Sequence, residues 1–241
     1  MRRALNLILI NLICTALTFA QSTKKTDSIS SVRIAESFFN SSIKQRSLLF
    51  NGPLFQGYAP NVEGSANFQD LMTFSNGSIV YQGFRFDGIP LIYDIYQDKI
   101  ISLIDGSLKY SFQNDWISEF NLNGHHFKHI QVTDTVNSVI KPGFYDLIYD
   151  GKSRIFVKRT KIMEFLLNGK YITYYFTPKT YYYIERGGKF KVIKGKKSFL
   201  NYFKDRKPEL NKHLKQNKIK FNRKPEEAMI LLVSFYERLP N

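Results

Sequence analysis

Three histidines lie close together in the chain, and imidazole is the side chain most often used for metal binding and proton transfer near neutral pH. They are His125, His126 and His129. If residues 124–130 form a strand, His125 and His129 share one face and His126 points to the other. A zinc or copper site needs three or four ligands, and carboxylates are sparse nearby. We therefore predict structural or exposed histidines and no metal site.

Asp94 is a second candidate for a catalytic role, because its carboxylate interrupts an apolar run that is expected to be buried. Residues 91–93 are Leu, Ile and Tyr, and Ile95 follows. A carboxylate in a buried strand needs a partner or a raised pKa. Paired with a second carboxylate or with His125, it could act in general acid–base hydrolysis of a glycan or a lipid. The alternative is a turn former, because Asp binds nearby backbone amides.

Other catalytic signatures are missing from the sequence. Ser78 follows Asn76 and Gly77 without the strand-to-helix context of a nucleophile elbow, and Gly195 lacks the spacing of a phosphate loop. The single cysteine, Cys14, lies in the N-terminal apolar run. The rest of the chain has no thiol for nucleophilic catalysis, disulfides or metal binding. We predict no catalytic residue set and no cofactor, so a non-enzymatic protein is favoured over the hydrolase.

The N-terminus has the pattern of a secretory signal peptide, predicted over residues 1–20. Arg2 and Arg3 precede an apolar run that ends at Phe19, and cleavage is expected after Ala20. The run is shorter than the ~20 residues that a membrane-spanning helix needs. We expect an exported protein, periplasmic or associated with the outer membrane, without a transmembrane segment in the mature chain. The alternative is an uncleaved anchor helix.

Positive charge is confined to the second half of the chain. Residues 21–151 hold 10 Lys and Arg against 13 Asp and Glu, a balance of −3. Residues 152–241 hold 23 against 7, a balance of +16. This asymmetry predicts an anionic envelope surface or a protein partner. The alternative is that the lysines solubilise exposed strands and block edge-to-edge pairing.

Tyrosines and cations alternate in the region from residue 158 to residue 197, and this pattern predicts a binding surface. Stacking rings and cations suit an anionic glycan or a single-stranded nucleic acid. They equally suit ordinary strands, in which Tyr packs on one face and Lys is solvated on the other. Export makes nucleic acid an unexpected partner. The candidate binding residues are Arg159, Lys161, Tyr181, Tyr183, Lys189 and Lys191.

Short runs of branched and aromatic residues, separated by turn residues, predict many antiparallel strands. A β-meander over residues 77–106 organises the chain. Asp150-Gly151, Asn168-Gly169 and Gly187-Gly188 are hairpin signals further along.

Apolar residues change to helical spacing near the C-terminus, and the clearest helix begins at Pro225. We predict a β-rich body over residues 21–195 and a basic helical segment over residues 196–241, packed on that body. The fold class is α+β, a predominantly antiparallel meander, roll or sandwich that carries two or three C-terminal helices.

Several short segments resemble a group of uncharacterised exported proteins of Bacteroidota. The resemblance lies in residues 77–81, 89–94, 124–127 and 142–151, and it extends to Tyr181-Tyr182 and the lysine-rich end. It implies an exported, β-rich envelope protein, and it carries no catalytic residues over to this chain.

Overall fold

The computed structural model describes residues 47–132 and 138–240. The predicted signal peptide, residues 1–20, lies outside the described residues. From Phe50 onward the chain belongs to one compact unit. This unit has an α+β fold, with one large, mostly antiparallel sheet followed by three helices, which confirms the predicted fold class.

The sheet contains eleven strands among the described residues. In chain order they are β1 (Val62–Glu63), β2 (Ser75–Tyr81), β3 (Phe84–Asp94), β4 (Lys99–Ile104), β5 (Leu108–Ser111), β6 (Ile117–Leu122), β7 (His125–Ile130), β8 (Gly143–Tyr149), β9 (Arg154–Asn168), β10 (Tyr171–Arg186) and β11 (Lys189–Ile193). Across the sheet the order is β1-β10-β9-β8-β7-β6-β2-β3-β4-β5, with β11 also paired to β10. Only β1 runs parallel to its neighbour, β10, in this described sheet.

Six helical segments lie in the described chain from Phe50 onward. The short 3₁₀ helices are Phe68–Asp70, Asn114–Trp116 and Lys204–Arg206. The α-helices are α1 (Lys196–Tyr202), α2 (Lys207–Gln216) and α3 (Pro225–Arg238). Pro208 and Pro225 lie in the first turns of α2 and α3, where a missing N–H costs no hydrogen bond.

The three α-helices pack on the end of the sheet formed by β9, β10 and β11. Ile155, Ile184 and Ile193 project from these strands into one buried cluster with the helices. The helices contribute a set of fully buried side chains that includes Phe199, Phe203, Leu210, Leu214, Met229, Leu232 and Val233. Burying each such side chain contributes about 1.5–3 kcal/mol, so the helices are held at fixed positions on the sheet.

A second group of buried aromatic rings lies in β3, β6, β7 and β8. Phe120 stacks on Phe127 with 4.6 Å between ring centroids, and Tyr93 meets both rings edge-on at 5.2 and 5.1 Å. Phe144 meets Tyr93 and Phe120 in the same edge-on manner, at 6.0 and 5.3 Å. Such pairs add about 0.5–1.5 kcal/mol each beyond burial. This aromatic cluster fixes the strands that carry the charged side chains described next.

Candidate functional site

Arg159 lies inside an ion cluster. From β9 its guanidinium donates to Asp146 Oδ2 in β8 at 2.6 and 2.9 Å, and to both carboxylate oxygens of Glu226 in α3 at 2.9 and 3.0 Å. The Asp146 side chain is only 1% exposed. A guanidinium that faces two carboxylates is satisfied within the protein. Arg159 therefore joins the sheet to α3 and is not free to hold an external anion.

Lys161 is also engaged inside the protein. Its buried Nζ donates to the backbone oxygen of Ser65 at 2.5 Å and pairs with Asp70. Both acceptors lie at the 3₁₀ helix Phe68–Asp70 or just before it. Lys161 therefore fastens this helix to β9, and it does not present its charge to solvent.

Tyr181 and Tyr183 lie on the opposite face of the sheet from Arg159. Tyr181 pairs with Lys158 across the β9–β10 ladder, and side chains alternate between faces along a strand. The two tyrosines line a cleft of about 500 Å³. This tyrosine cleft is lined chiefly by Lys141, Tyr145, Lys158, Thr160, Tyr181 and Tyr183. The Tyr145 and Tyr183 rings meet edge-on at 5.6 Å, so the cleft has aromatic walls.

Lys158, one of the two lysines that line the tyrosine cleft, is compensated. Its Nζ lies 2.7 Å from Asp98 Oδ1, donates to the Phe144 oxygen at 3.0 Å, and lies over the Tyr145 ring at 5.1 Å. Burial lowers the pKa of the Lys158 amine, although Asp98 favours its charged form. Asp98 also accepts a hydrogen bond from the Tyr93 hydroxyl at 2.5 Å. Lys158 and Asp98 are thus a structural ion pair.

The hydroxyl groups of the tyrosine cleft are not arranged for nucleophilic catalysis. Thr160 Oγ1 donates to the Ile95 oxygen at 3.0 Å, and the Tyr145 hydroxyl donates to the Lys141 oxygen at 2.8 Å. Burial raises the pKa of both Tyr145 and Tyr183, so both hydroxyls stay protonated at neutral pH. The cleft can stack a ring against tyrosine, but it does not offer an activated nucleophile among these residues.

Lys189 and Lys191 are exposed on β11 and lead into the helices. Lys191 Nζ lies 5.8 Å from the ring centroid of Tyr202 in α1. Residues 194–224, which we name the cationic helical segment, contain 12 Lys and Arg but only 2 Asp and Glu. Its exposed cations are Lys194, Lys197, Lys204, Lys212, Lys215, Lys218, Lys220, Arg223 and Lys224. Two salt bridges engage this segment within the described chain, Arg206–Glu209 and Lys224–Glu227.

The six candidate binding residues therefore do not form one surface. Arg159 and Lys161 are paired internally, Tyr181 and Tyr183 line the tyrosine cleft, and Lys189 and Lys191 adjoin the cationic helical segment. The exposed cations of the second half lie mainly beyond residue 191.

Asp94 is fully buried at the end of β3 and organises a turn. It accepts hydrogen bonds from the Tyr58 hydroxyl at 2.5 Å and from the amides of Tyr96 and Gln97 at 2.9 and 2.8 Å. Burial raises the pKa of the Asp94 carboxyl, and these three hydrogen bonds oppose the rise. All of its partners are local or structural, which is the turn-forming alternative.

His125 has a separate set of partners. Its Nδ1 lies 2.7 Å from Asp146 Oδ2, its Nε2 lies 3.3 Å from Gln69 Nε2, and its ring packs edge-on against Phe68. Asp94 and His125 share none of these hydrogen-bond partners, and neither lines the tyrosine cleft. The hydrogen bonds of Asp94 thus involve neither His125 nor a second carboxylate.

Among residues 47–132 and 138–240, no group of three or more His, Cys, Asp and Glu side chains could hold a metal ion. Within the same residues, no helix combines the length and the apolar composition needed to span a bilayer. Comparison with protein-family models, with curated proteins and with solved structures finds no match for this chain. The resemblance to exported proteins of Bacteroidota stays a prediction.

Sequence reasoning missed Asp146 as the centre of the ion cluster. The signal was present, because Asp146 interrupts the apolar β8 strand just as Asp94 interrupts the end of β3. A carboxylate inside an apolar strand predicts a buried hydrogen-bond or cationic partner. That partner is Arg159, 13 residues later on the neighbouring strand.

Proposed function

We propose that the protein is a non-enzymatic binding protein of the cell envelope, which attaches to an anionic envelope surface through the cationic helical segment. The observation that carries this proposal is the excess of 12 cations over 2 acids in residues 194–224, with nine of the cations exposed. Lys189 and Lys191 extend the same positive surface onto the sheet.

The packing of the helices supports a preformed surface. Leu210 and Leu214 of α2 are buried in the same cluster as Leu232 of α3 and Ile184 of β10. The backbone that carries the exposed lysines is therefore fixed, and binding does not have to order it. Each Lys or Arg held near an anionic membrane surface contributes about 1 kcal/mol, so several together are enough for attachment.

Glu209 and Glu227 pair with Arg206 and Lys224 of the cationic helical segment, but three other acids of the second half are engaged elsewhere. Glu185 is paired with Arg154, Glu226 with Arg159, and Glu237 accepts from the amides of Lys152 and Ser153. These three carboxylates bind cations of the sheet or backbone amides of the loop between β8 and β9. The positive potential of the helices therefore extends into solvent over roughly a Debye length, about 8 Å at physiological salt.

A charge-matched pair of variants tests the proposal. We expect Lys212→Gln/Lys215→Gln/Lys218→Gln to bind anionic lipid vesicles or anionic cell-wall glycan about a hundredfold more weakly than the wild type, because three contacts of about 1 kcal/mol are lost. The matched control, Lys109→Gln/Lys128→Gln/Lys141→Gln, removes the same charge from the first half and should retain most of the binding. Equal losses in both triple variants would contradict a localised surface.

A further inference from the structure

The β9–β10 hairpin projects beyond β8 on the side of β9, while β1 pairs with β10 at Tyr174 and Tyr175 on its other side. The two strands pair over 15 residue positions, from Arg154 opposite Glu185 to Asn168 opposite Tyr171. On its other edge, β9 pairs with β8 only through residues 155–157, and Lys161 donates to the Ile95 oxygen. Beyond that point, the described chain provides no backbone partner for the outer edge of β9. We name residues 162–178 the hairpin arm.

The hairpin arm carries exposed apolar side chains on both faces of its tip, whereas Phe176, nearer its base, packs against Tyr58 and Tyr96. Its exposed side chains are Ile162 (38%), Phe165 (65%), Leu166 (59%), Leu167 (64%), Tyr171 (80%), Ile172 (45%) and Tyr175 (39%). The ladder places Phe165, Leu167 and Ile172 on one face, and Leu166, Tyr171 and Tyr175 on the other. Among residues 165–178, Lys170 is the only lysine, arginine, aspartate or glutamate. A projecting arm with this surface is costly in water and marks an interaction site.

We propose that the tip of the hairpin arm enters the interfacial layer of an anionic lipid bilayer. This inference rests on the proposed function and identifies the anionic envelope component as lipid. A protein partner or a second copy that packs on one face would leave the other apolar face in water. Lipid surrounds the arm and covers both faces together.

The dimensions of the arm fit shallow insertion. From Phe165 to Asn168 the strand rises about 10 Å at 3.3 Å per residue, and interfacial segments bury about 5–10 Å into the boundary between headgroups and acyl chains. At that depth water still reaches the unpaired backbone groups at the strand edges, whereas the hydrocarbon core would leave them unsatisfied. The arm therefore enters the headgroup boundary and does not cross it.

The polar groups of the arm suit the same layer. Tyr171 and Tyr175 combine an apolar ring with a hydroxyl, a combination enriched where membranes meet water. Lys170 lies in the two-residue turn, and its long side chain can turn back towards the phosphates. Lys179 is exposed at the base, and Glu164 is already hydrogen-bonded by the Thr177 hydroxyl. The charge nearest the tip, on Lys170, is therefore positive and favours anionic lipid.

Tryptophan fluorescence tests the insertion directly. In a Trp116→Phe background, which removes the only native tryptophan, Tyr171→Trp places a single indole at the tip. We expect this indole to be accessible to a soluble quencher in the free protein. On anionic vesicles it should shift to shorter wavelength and be quenched by lipids brominated near the headgroups. An indole shielded in the free protein would overturn the proposal, because another part of the chain would then cover the arm.

Matched apolar variants give the second measurement. Phe165→Ser/Leu167→Ser should weaken vesicle binding about thirtyfold without any change in charge, since two exposed apolar side chains lose their lipid contact. The control Phe84→Ser/Leu108→Ser removes two exposed apolar residues elsewhere on the sheet, 42% and 49% exposed, and should bind like the wild type. Circular dichroism confirms that both variants are folded.

The outcomes separate this inference from the proposed function. If Phe165→Ser/Leu167→Ser binds vesicles normally and brominated lipid does not quench the Tyr171→Trp indole, insertion is overturned. The proposed function, binding through the cationic helical segment, is not affected by that result. Quenching that is equal on neutral and anionic vesicles would support insertion and contradict the electrostatic function. A wild-type dimer that Phe165→Ser/Leu167→Ser converts to monomer, measured by light scattering, would show that a second copy covers the arm and would overturn lipid insertion.

Discussion

A single side chain, Arg159, connects the sheet to the C-terminal helices. It bridges Asp146 in β8 and Glu226 in α3, and His125 of β7 contacts the same Asp146 oxygen. Removing one member of a buried ion pair leaves the other uncompensated and typically costs about 3–5 kcal/mol. We therefore expect Arg159→Met to lower the free energy of unfolding by about that amount, measured by urea denaturation.

Lys194→Met, at an exposed residue without a salt bridge among the described residues, is the matched control and should change stability by less than about 0.5 kcal/mol. A loss of vesicle binding by folded Arg159→Met, at unchanged stability, would contradict the structural role and return Arg159 to the binding surface.

Glu185 makes stability depend on pH. Burial alone would raise its carboxyl pKa, but hydrogen bonds from Arg154 and from the Gly188 amide outweigh burial and lower the pKa of Glu185 below its ordinary value of 4.5. The ionised form therefore stabilises the fold above pH 4.5, and this contribution is lost as pH falls through the lowered folded-state pKa. Glu185→Gln should have a lower free energy of unfolding than the wild type at pH 7, and the difference between the two proteins should become smaller below about pH 4. A difference in unfolding free energy that stays constant between pH 7 and pH 3 would contradict a stabilising role of the ionised Glu185.

The internal pairing of Arg159 and Lys161 could not be predicted from the sequence. Arg159 and Lys161 have the same sequence surroundings as exposed lysines, and their partners Glu226 and Asp70 lie 67 and 91 residues away. Pairings at such separations depend on the fold and leave no local pattern. The exposed helix lysines needed no pairing, so the charge count alone located them.

At the scale of elements, β8 begins at a position that requires glycine. Gly143 has a φ of 135°. A Cβ at this position would lie 2.9 Å from Lys158 Nζ and still closer to Asp98 Oδ2. We expect Gly143→Ala to displace the Lys158–Asp98 ion pair and to cost more than about 3 kcal/mol in unfolding free energy. Gly124→Ala is the control, because Gly124 also has a positive φ, 78°, but open space around it; it should cost about 1 kcal/mol. If Gly143→Ala and Gly124→Ala lowered the unfolding free energy equally, the close approach of Asp98 and Lys158 to Gly143 would be contradicted.

The elements themselves were largely predictable, because hydrophobic period and turn residues are local signals. The helices α2 and α3 follow from i, i+4 apolar pairs and from Pro208 and Pro225. Strand boundaries were less predictable. The segments Phe84–Phe86 and Leu91–Asp94 belong to one strand, β3, which continues through a bulge at Gly88, a residue without a partner in β2. The Asp150-Gly151 hairpin has a longer loop than a tight turn, because Glu237 of α3 binds the amides of Lys152 and Ser153.

At the scale of the whole molecule, acids of the first half neutralise cations of the second. Three acids pair with three cations of β9. The pairs are Asp98 with Lys158, Asp146 with Arg159, and Asp70 with Lys161. These pairs neutralise the middle of β9. The exposed cations of the second half are most numerous on the helices and at β11, which is why we assign binding to that end of the protein.

The most direct test of this account is the partition of the chain from Gln21 onward between solution and vesicles of anionic or neutral lipid, measured at about 0.05 M and about 0.5 M salt. We predict strong association with anionic vesicles at low salt, at least tenfold weaker association at high salt, and a much smaller salt dependence for Lys212→Gln/Lys215→Gln/Lys218→Gln. Absent association with anionic vesicles at low salt, or an affinity that salt leaves unchanged, would contradict the central claim.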